Sequence, residues 1–560
     1  MLPDSELKDI LIHAGLIDET SWEAVAGYAA SSHVPMSSAL MEKGMVSDEQ
    51  LGQLIATRVN VPFVVLSKLS IPEDAFRIVP GNVARKQKAV AFARDADGVK
   101  VATANPANQA FFAFVAKKTG QRVSIYFATE RDIETTLQVY KKVLQKTVDE
   151  LLKEDIKKAT ETVLEDPPVA KIVDVLIDAA YQDKASDIHI EPEDKQTLIR
   201  FRIDGVLHDV LRVPKALHDR IITRIKVLSN LRTDEHLSAQ DGKMQIALTE
   251  ENLDIRVSII PISGGEKGVL RLLSSRSRQY TLTDLGMNEQ DLQKVTNAFN
   301  KSYGMILSTG PTGCGKTTSI YAITKILNTR EKNITTIEDP VEYRIAGANQ
   351  VQVNAKTNLT FANGLRSILR QDPNIIFVGE IRDNETAAIA VNAALTGHLV
   401  LSTLHTNDAA TAIPRLTDMK IEPFLVASTV NIIIAQRLVR KICDICKTTR
   451  AVSQEELKKQ IPGDAIKKHF ADTLELTMYK GKGCKICHMT GYSGRVGIFE
   501  VLEVTKAIRE KITERCDSDV IAQTAAAEGM STMLDDGLEK VARGVTTMEE
   551  VVRVTKVESL

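Results

Sequence analysis

Aromatic residues are scarce in this chain, at 4% with a single tryptophan, and neither sign of charge dominates: 71 lysines and arginines stand against 73 acidic residues, for a formal charge of -2. Grooves that hold single-stranded nucleic acid use stacking platforms and an excess of cations. No nucleic-acid partner is therefore expected, and any anion site must be local rather than the product of a global field. No stretch approaches the roughly 18 consecutive apolar residues of a membrane span. The start, MLPDSELKDI, lacks a basic segment followed by an apolar run, so no secretory signal is read and the expected location is cytoplasmic, with any membrane contact peripheral. What remains is an ordinary globular composition, 43% hydrophobic and 26% charged, over 560 residues. At roughly 150 residues per domain that length suggests three or four domains, each with its own core.

Two N-terminal segments repeat one unit. ILIHAG at 10–15 and ALMEKG at 39–44 are each followed by two apolar residues and a polar cap, the pattern of helix, glycine stop and new helix start. AVAFARDADGVKVATA at 89–104 alternates about Asp97-Gly98, a hairpin signal. Residues 1–140 read as a first helical and α+β domain. The Lys- and Glu-rich stretch 141–168, ending at Asp166-Pro167-Pro168, reads as a helical linker. Alternating runs at 188–190, 197–203 and 206–213, the last two joined by Asp204-Gly205, predict a mostly antiparallel second domain over 169–280. From 281 to 560 the pattern is α/β, short buried strands separated by helices, as in a parallel sheet with crossover helices, and from about Glu500 it reads as helical.

Gly310-Pro311-Thr312-Gly313-Cys314-Gly315-Lys316-Thr317 fits G-x-x-x-x-G-K-[ST] between a strand-like run, MILS, and a helix-like one beginning at Ser319. Glycines let such a loop turn its N–H groups around phosphate oxygens, and the following helix N-terminus adds partial positive charge there. Lys316 then reaches the β and γ phosphates of ATP, and Thr317 offers a hydroxyl to Mg²⁺. Thr318 completes the candidate nucleotide-binding set. Acids at the ends of later strands are candidates for metal and water: Glu338 and Glu342 after ITTI, and Glu380 after NIIFV, where a Walker B Asp is usual. His398 and His405 bracket a further strand-like run, each either a γ-phosphate contact or a hydrogen-bonded core residue. Cys443-x-x-Cys446 and Cys484-x-x-Cys487, with 37 residues between the pairs, suit tetrahedral Zn²⁺ held by four thiolates as a structural site.

The P-loop at 310–317, IEDPVEY at 337–343, DPNIIFVGEIRD at 372–383 and TGHLVLSTLHTND at 396–408 occur in that order, and together they resemble the type II/type IV secretion ATPase family. ASDIHIEPEDKQTLIRFRIDGVLHDV at 185–210 resembles the strand-rich segment that precedes the ATPase core there. The resemblance implies a RecA-like P-loop core of 281–560, preceded by a PAS-like α+β domain, and a homohexameric ring with ATP bound between the two domains. It makes Glu342 the general base, Glu380 a metal or water-network residue and His405 a nucleotide-side residue. It also brings arginines of the second domain, with Arg200, Arg202 and Arg271 as candidates, to nucleotide, some from a neighbouring subunit. The tetracysteine insertion at 443–487 resembles the pilus extension and type II secretion branches; pilus extension is the preferred reading and type II secretion the alternative. The implied partners are an inner-membrane pilus platform protein and a cytoplasmic assembly partner. Some extension ATPases bind cyclic di-GMP through an Arg-Leu-Gly motif ahead of each N-terminal repeat. Here those positions are Glu6-Leu7-Lys8 and Pro35-Met36-Ser37, which lack the arginine and glycine, so the region is read as a docking element.

If the glycine-rich loop holds the phosphates, Lys316→Ala removes productive ATP binding; a titration with a fluorescent ATP analogue checks this, and unchanged affinity would discard the loop as the site.

Overall fold

Turn signals in the sequence fall between strands and helices of the computed structural model, which describes residues 4–32, 48–66, 71–76, 78–95, 98–139, 169–248, 251–274, 281–458, 461–470, 475–484 and 487–555, with 36, 40, 46, 69 and 148. The first N-terminal repeat forms as read. A helix, Asp4–His13, stops at left-handed Gly15 (φ 65°), and Asp18 accepts from the Ser21 N–H at 2.7 Å to start the helix Glu19–Ser32. Leu7 is in the core and Lys8 pairs with Glu19 at 3.3 Å. The second repeat's helix at 39–44 and the linker at 141–168 lie outside the described residues, except for Leu40 and Val148. Strands β1 (Ala89–Asp95) and β2 (Gly98–Thr103) are antiparallel, with Asp95 opposite Gly98, and β3 (Val123–Phe127) joins β2 in parallel after the helix Gln109–Thr119.

Strands β4 (Asp187–Pro192), β5 (Gln196–Ile203), β6 (Val206–Pro214), β7 (Gln240–Ala247), β8 (Asn252–Ile262) and β9 (Gly265–Leu273) form a second sheet in the order β6-β5-β4-β9-β8-β7, antiparallel throughout. Alternation sends Ile188, Ile190, Phe201 and Leu270 into a core with the helices Val169–Gln182 and His218–Leu228. It leaves the charges of the same strands on the other face. Asp204 (φ 50°) and Gly205 (φ 87°) are both left-handed, the geometry of a two-residue hairpin turn that matches strand twist.

The third sheet is built from β10 (Gly304–Thr309), β11 (Ile334–Glu338), β12 (Ala348–Gln352), β13 (Ile375–Val378), β14 (Leu399–Leu404) and β15 (Val430–Ile442). A separate ribbon, β16 (Lys447–Ser453) with β17 (Glu475–Gly481), follows before β18 (Tyr492–Glu503) returns to the sheet. Its order is β12-β11-β13-β14-β10-β15-β18, parallel except for the last pair. Every residue of β10, β11, β13 and β14 is buried, because helices cover both faces. The sequence places the onset of helix at about Glu500, whereas β18 runs on to Glu503. Residues 496–502 are all buried, so the strand carries no alternation to reveal it. Helices Lys506–Thr513, Ser518–Ala527, Met533–Ala542 and Met548–Thr555 then close the chain against the sheet.

Glu550, on the last of these helices, is 2% exposed and fastens it to β15: its carboxylate accepts from the Arg440 N–H at 3.0 Å, the Arg440 guanidinium at 2.6 Å and Arg553 at 2.8 Å. Burial works against this charge, but the hydrogen bonds prevail and hold the carboxyl at about 2. A carboxyl depressed on folding contributes stability that is complete above its unfolded value and is lost as pH falls toward the folded one. Glu550→Ala is therefore expected to destabilise the fold by about 3 kcal/mol at neutral pH. The variant should also lose part of the wild-type decline in melting temperature between about pH 4.5 and 2; thermal melts across that range check both effects.

Candidate nucleotide and metal sites

The loop between β10 and the helix Lys316–Leu327 is fixed by close backbone approach. A Cβ at Gly310 (φ 144°) would stand 2.5 Å from the Cys314 sulfur and 2.6 Å from the Gln436 carbonyl oxygen. Gln436 of β15 braces the loop from behind: its Nε2 donates to the Cys314 carbonyl at 2.8 Å and its Oε1 accepts from Ser319 at 2.7 Å. Burial raises the Cys314 thiol pKa and makes it an apolar wedge. Pro311, Thr312 and Gly313 are exposed, while Thr317 and Thr318 are half-buried in the first helical turn. The Lys316 ammonium donates to the Gly310 and Pro311 carbonyls at 2.7 and 3.1 Å, and burial lowers its pKa from the ordinary value.

Neighbouring strand ends converge beside this loop. At the end of β14, Thr406 is tied to Thr309 of β10 by hydroxyl contact at 2.5 Å and by its N–H at 3.0 Å. One residue earlier, His405 donates through Nε2 to Glu380, beyond β13, at 3.2 Å. Glu380 also pairs with Arg382 at 2.6 Å. His398 stands at the opposite end of β14, where its Nδ1 donates to the Ala393 carbonyl at 3.0 Å; that is the hydrogen-bonded alternative, away from the loop.

The two acids at the end of β11 and just beyond it part ways. Glu338 is 2% exposed and accepts from the Tyr321 hydroxyl, from Thr336 at 2.6 Å and from Gln350 at 3.1 Å, with burial raising its pKa. It knots the strand to the helix that follows the loop. Glu342 is 38% exposed and pairs with Arg256 of β8 at 3.4 Å, while the same guanidinium donates to the Val341 carbonyl at 2.7 Å. Arg256 is a residue that the sequence reading missed. Its signal was the alternation in LDIRVSII, which puts it directly opposite Arg271. Arg200 pairs with Glu191 at 2.6 Å, Arg202 with Asp187 at 3.4 Å and Arg271 with Asp187 at 3.0 Å, all on the polar face of the second sheet.

The four cysteines converge as their spacing suggests. All four sulfurs lie within 4.8 Å of one another, with Cys443–Cys484 at 3.8 Å, Cys446–Cys487 at 3.9 Å and Cys484–Cys487 at 3.6 Å. A tetrahedron with metal–sulfur bonds of ~2.3 Å has edges of about 3.8 Å, so the donor set fits zinc. N–H groups of Cys484 and Gly491 point at the Cys487 sulfur at 3.1 and 3.2 Å. Burial raises the Cys443 thiol pKa and pushes that of Cys446 up to about 11. The intervening described residues include the β16/β17 ribbon, whose Val452, Leu476 and Met478 enter the main core, and the helices Gln454–Lys458 and Gly463–His469. The Asp204-Gly205 turn docks beside this module: Asp204 accepts from the Gly494 N–H at 2.7 Å, and the His208 ring lies 5.1 Å from that of His488.

A family model described as "Type II/IV secretion system protein" matches residues 162–553. The chain belongs to this family. A second model, described as an MshEN domain, matches residues 59–143, the segment of β1 to β3. The type IV pilus assembly ATPase PilB of Myxococcus xanthus is 38% identical over 563 residues, covering 98% of each chain. Type II secretion system protein E of Pseudomonas aeruginosa is 44% identical over 402 residues, 71% of this chain and 78% of its own. Among solved structures, the Legionella pneumophila ATPase DotB aligns with a TM-score of 0.51 at 21% identity, over 68% of this chain and 95% of its own, which supports the fold of the core. The chain is accordingly an ATPase of the secretion family.

Elemental analysis of the purified chain is expected to find about one zinc per chain. Cys484→Ser should lower that content and the melting temperature together, because the metal's binding energy is coupled to local folding. A fully folded, metal-free wild-type protein would refute the zinc assignment.

Proposed function

We propose that this chain is an ATP-driven motor of type IV pilus assembly, working as a homohexamer on the cytoplasmic side of the inner membrane. The observation that carries the reading is the match to the pilus assembly ATPase along 98% of both chains, N-terminal region included. The type II secretion relatives are more identical over the catalytic part, 44% over 71% of the chain, and that keeps protein secretion as the second reading. The partners in the first reading are an inner-membrane platform protein and a cytoplasmic assembly protein.

In this reading Gly310–Thr317 and Thr318 cradle ATP, and the Lys316 ammonium leaves the Gly310 and Pro311 carbonyls for the β and γ phosphates. The Thr317 hydroxyl and the Glu380 carboxylate would hold Mg²⁺, which supplies charge neutralisation to the phosphates. His405 keeps Glu380 oriented through their 3.2 Å hydrogen bond. Glu342 takes the proton of the attacking water: unlike Glu338 it is accessible, and its partner Arg256 belongs to the sheet that must approach for closure. Arg200, Arg202 and Arg271 serve a neighbouring subunit's nucleotide, with Asp187 and Glu191 holding them until then. The phosphoryl reaction needs alignment and electrostatics more than covalent catalysis, and this set of groups provides both.

Glu342→Gln is expected to keep ATP affinity and slow single-turnover hydrolysis by roughly 10²- to 10⁴-fold; an unchanged rate moves the base elsewhere. In cells, deletion of the gene should abolish surface pili and spare secretion of folded exoproteins. The opposite outcome selects the secretion reading.

A further inference from the structure

Arg437 on β15 is 9% exposed, and no ion pair holds its charge among the described residues. Its Nη2 donates to the Asn407 side-chain oxygen at 3.3 Å, while its Nη1 is buried with no hydrogen-bond partner. Among the described residues no carboxylate lies within ion-pair distance of it. Glu500, whose carboxyl shares this face two strand positions away, is pushed toward the neutral form by burial against the opposing pull of Arg437, and it is occupied by the Ala409 N–H at 2.9 Å. A buried guanidinium with an idle fork is costly unless an anion completes it.

The idle nitrogen is aimed at the phosphate loop. A Cβ built on Gly310, the loop's first glycine, would stand 3.3 Å from Arg437 Nη1. Its charge is felt by Lys316 and by Cys314 on the same loop. Asn407, its acceptor, lies two residues past His405, on the segment whose Thr406 is bound to the end of β10. Arg437 thus touches the loop on one side and the post-β14 segment on the other.

We propose that Arg437 is a phosphate-binding residue of the same chain, whose spare Nη1 donates to a terminal phosphoryl oxygen of bound ATP and reports its presence through Asn407 to the His405 segment. The proposal rests on ATP occupying the loop. It adds to the P-loop's Lys316 a second cation from the same sheet, and it gives the chain a means of telling triphosphate from diphosphate without a neighbouring subunit.

Affinities of the full-length wild type, Arg437→Gln and Arg437→Lys for a non-hydrolysable ATP analogue and for ADP, both with Mg²⁺, test it, together with melting temperatures without nucleotide. The expected result for Arg437→Gln is a loss of roughly 10- to 100-fold for the ATP analogue, the scale of a hydrogen bond to a charged group, with ADP changed by less than about three-fold. Arg437→Lys, which keeps the charge without the fork, should fall between. Equal weakening of both nucleotides with a lowered melting temperature would reveal a merely structural arginine, and unchanged ATP affinity would leave it no role; either overturns the proposal. If Arg437→Gln does not fold, Asn407→Ala carries the test, with a smaller loss confined to the ATP analogue expected and an equal loss for ADP contrary to it. A wild type that binds neither nucleotide sinks the ATP reading itself, which separates that failure from the failure of Arg437.

Discussion

A parallel sheet covered on both faces can offer chemistry only at its strand ends, and that constraint organises the catalytic half of this protein. The side chains of β10, β11, β13 and β14 are buried throughout, so their reactive residues gather where the strands stop. The phosphate loop, the Glu338–Glu342 segment, Glu380 and His405 follow from that arrangement, each one loop beyond a strand. The hydroxyl contact between Thr309 and Thr406 locks two of those ends at a common level.

The charges in this arrangement are held in provisional partnerships. Lys316 is satisfied by the loop's own carbonyls, Glu380 by Arg382 and His405, and three arginines of the second sheet by Asp187 and Glu191. In the proposed function each of these partnerships gives way to a phosphate or a divalent cation when nucleotide arrives. Glu338 differs: three donors and deep burial make it an internal strut rather than a reactive group. Two acids four residues apart in one motif thus have separate tasks, set by burial alone.

Much of this was legible in the sequence where the signal is local. The P-loop pattern, the Asp204-Gly205 turn and the paired C-x-x-C motifs carry their geometry within a few residues. Alternation likewise exposed the strands of the second sheet. What escaped depends on contacts between distant segments. Arg256 sits on an ordinary amphipathic strand, and only its approach to Val341 sets it apart from a solvated charge. Arg437 occupies a run that reads as uniform strand. Glu338 and Glu342 look alike until the fold buries one, and the end of β18 was hidden because burial on both sides erases periodicity. The wide gap between the cysteine pairs is explained by the β16/β17 ribbon, which leaves the cluster and returns to it.

Among the described residues, side chains of the second sheet and its turns meet the catalytic part in two groups of contacts. Arg256 and Lys243, opposite each other on β8 and β7, reach Val341 and Gln352, while the β5–β6 turn and His208 rest on Gly494 and His488 beside the cysteines. A rigid body held at two places retains one easy motion, rocking about the line that joins them. Any swing of the second sheet against the catalytic part would therefore pivot with the cysteine module as one bearing and the Val341–Glu342 loop as the other.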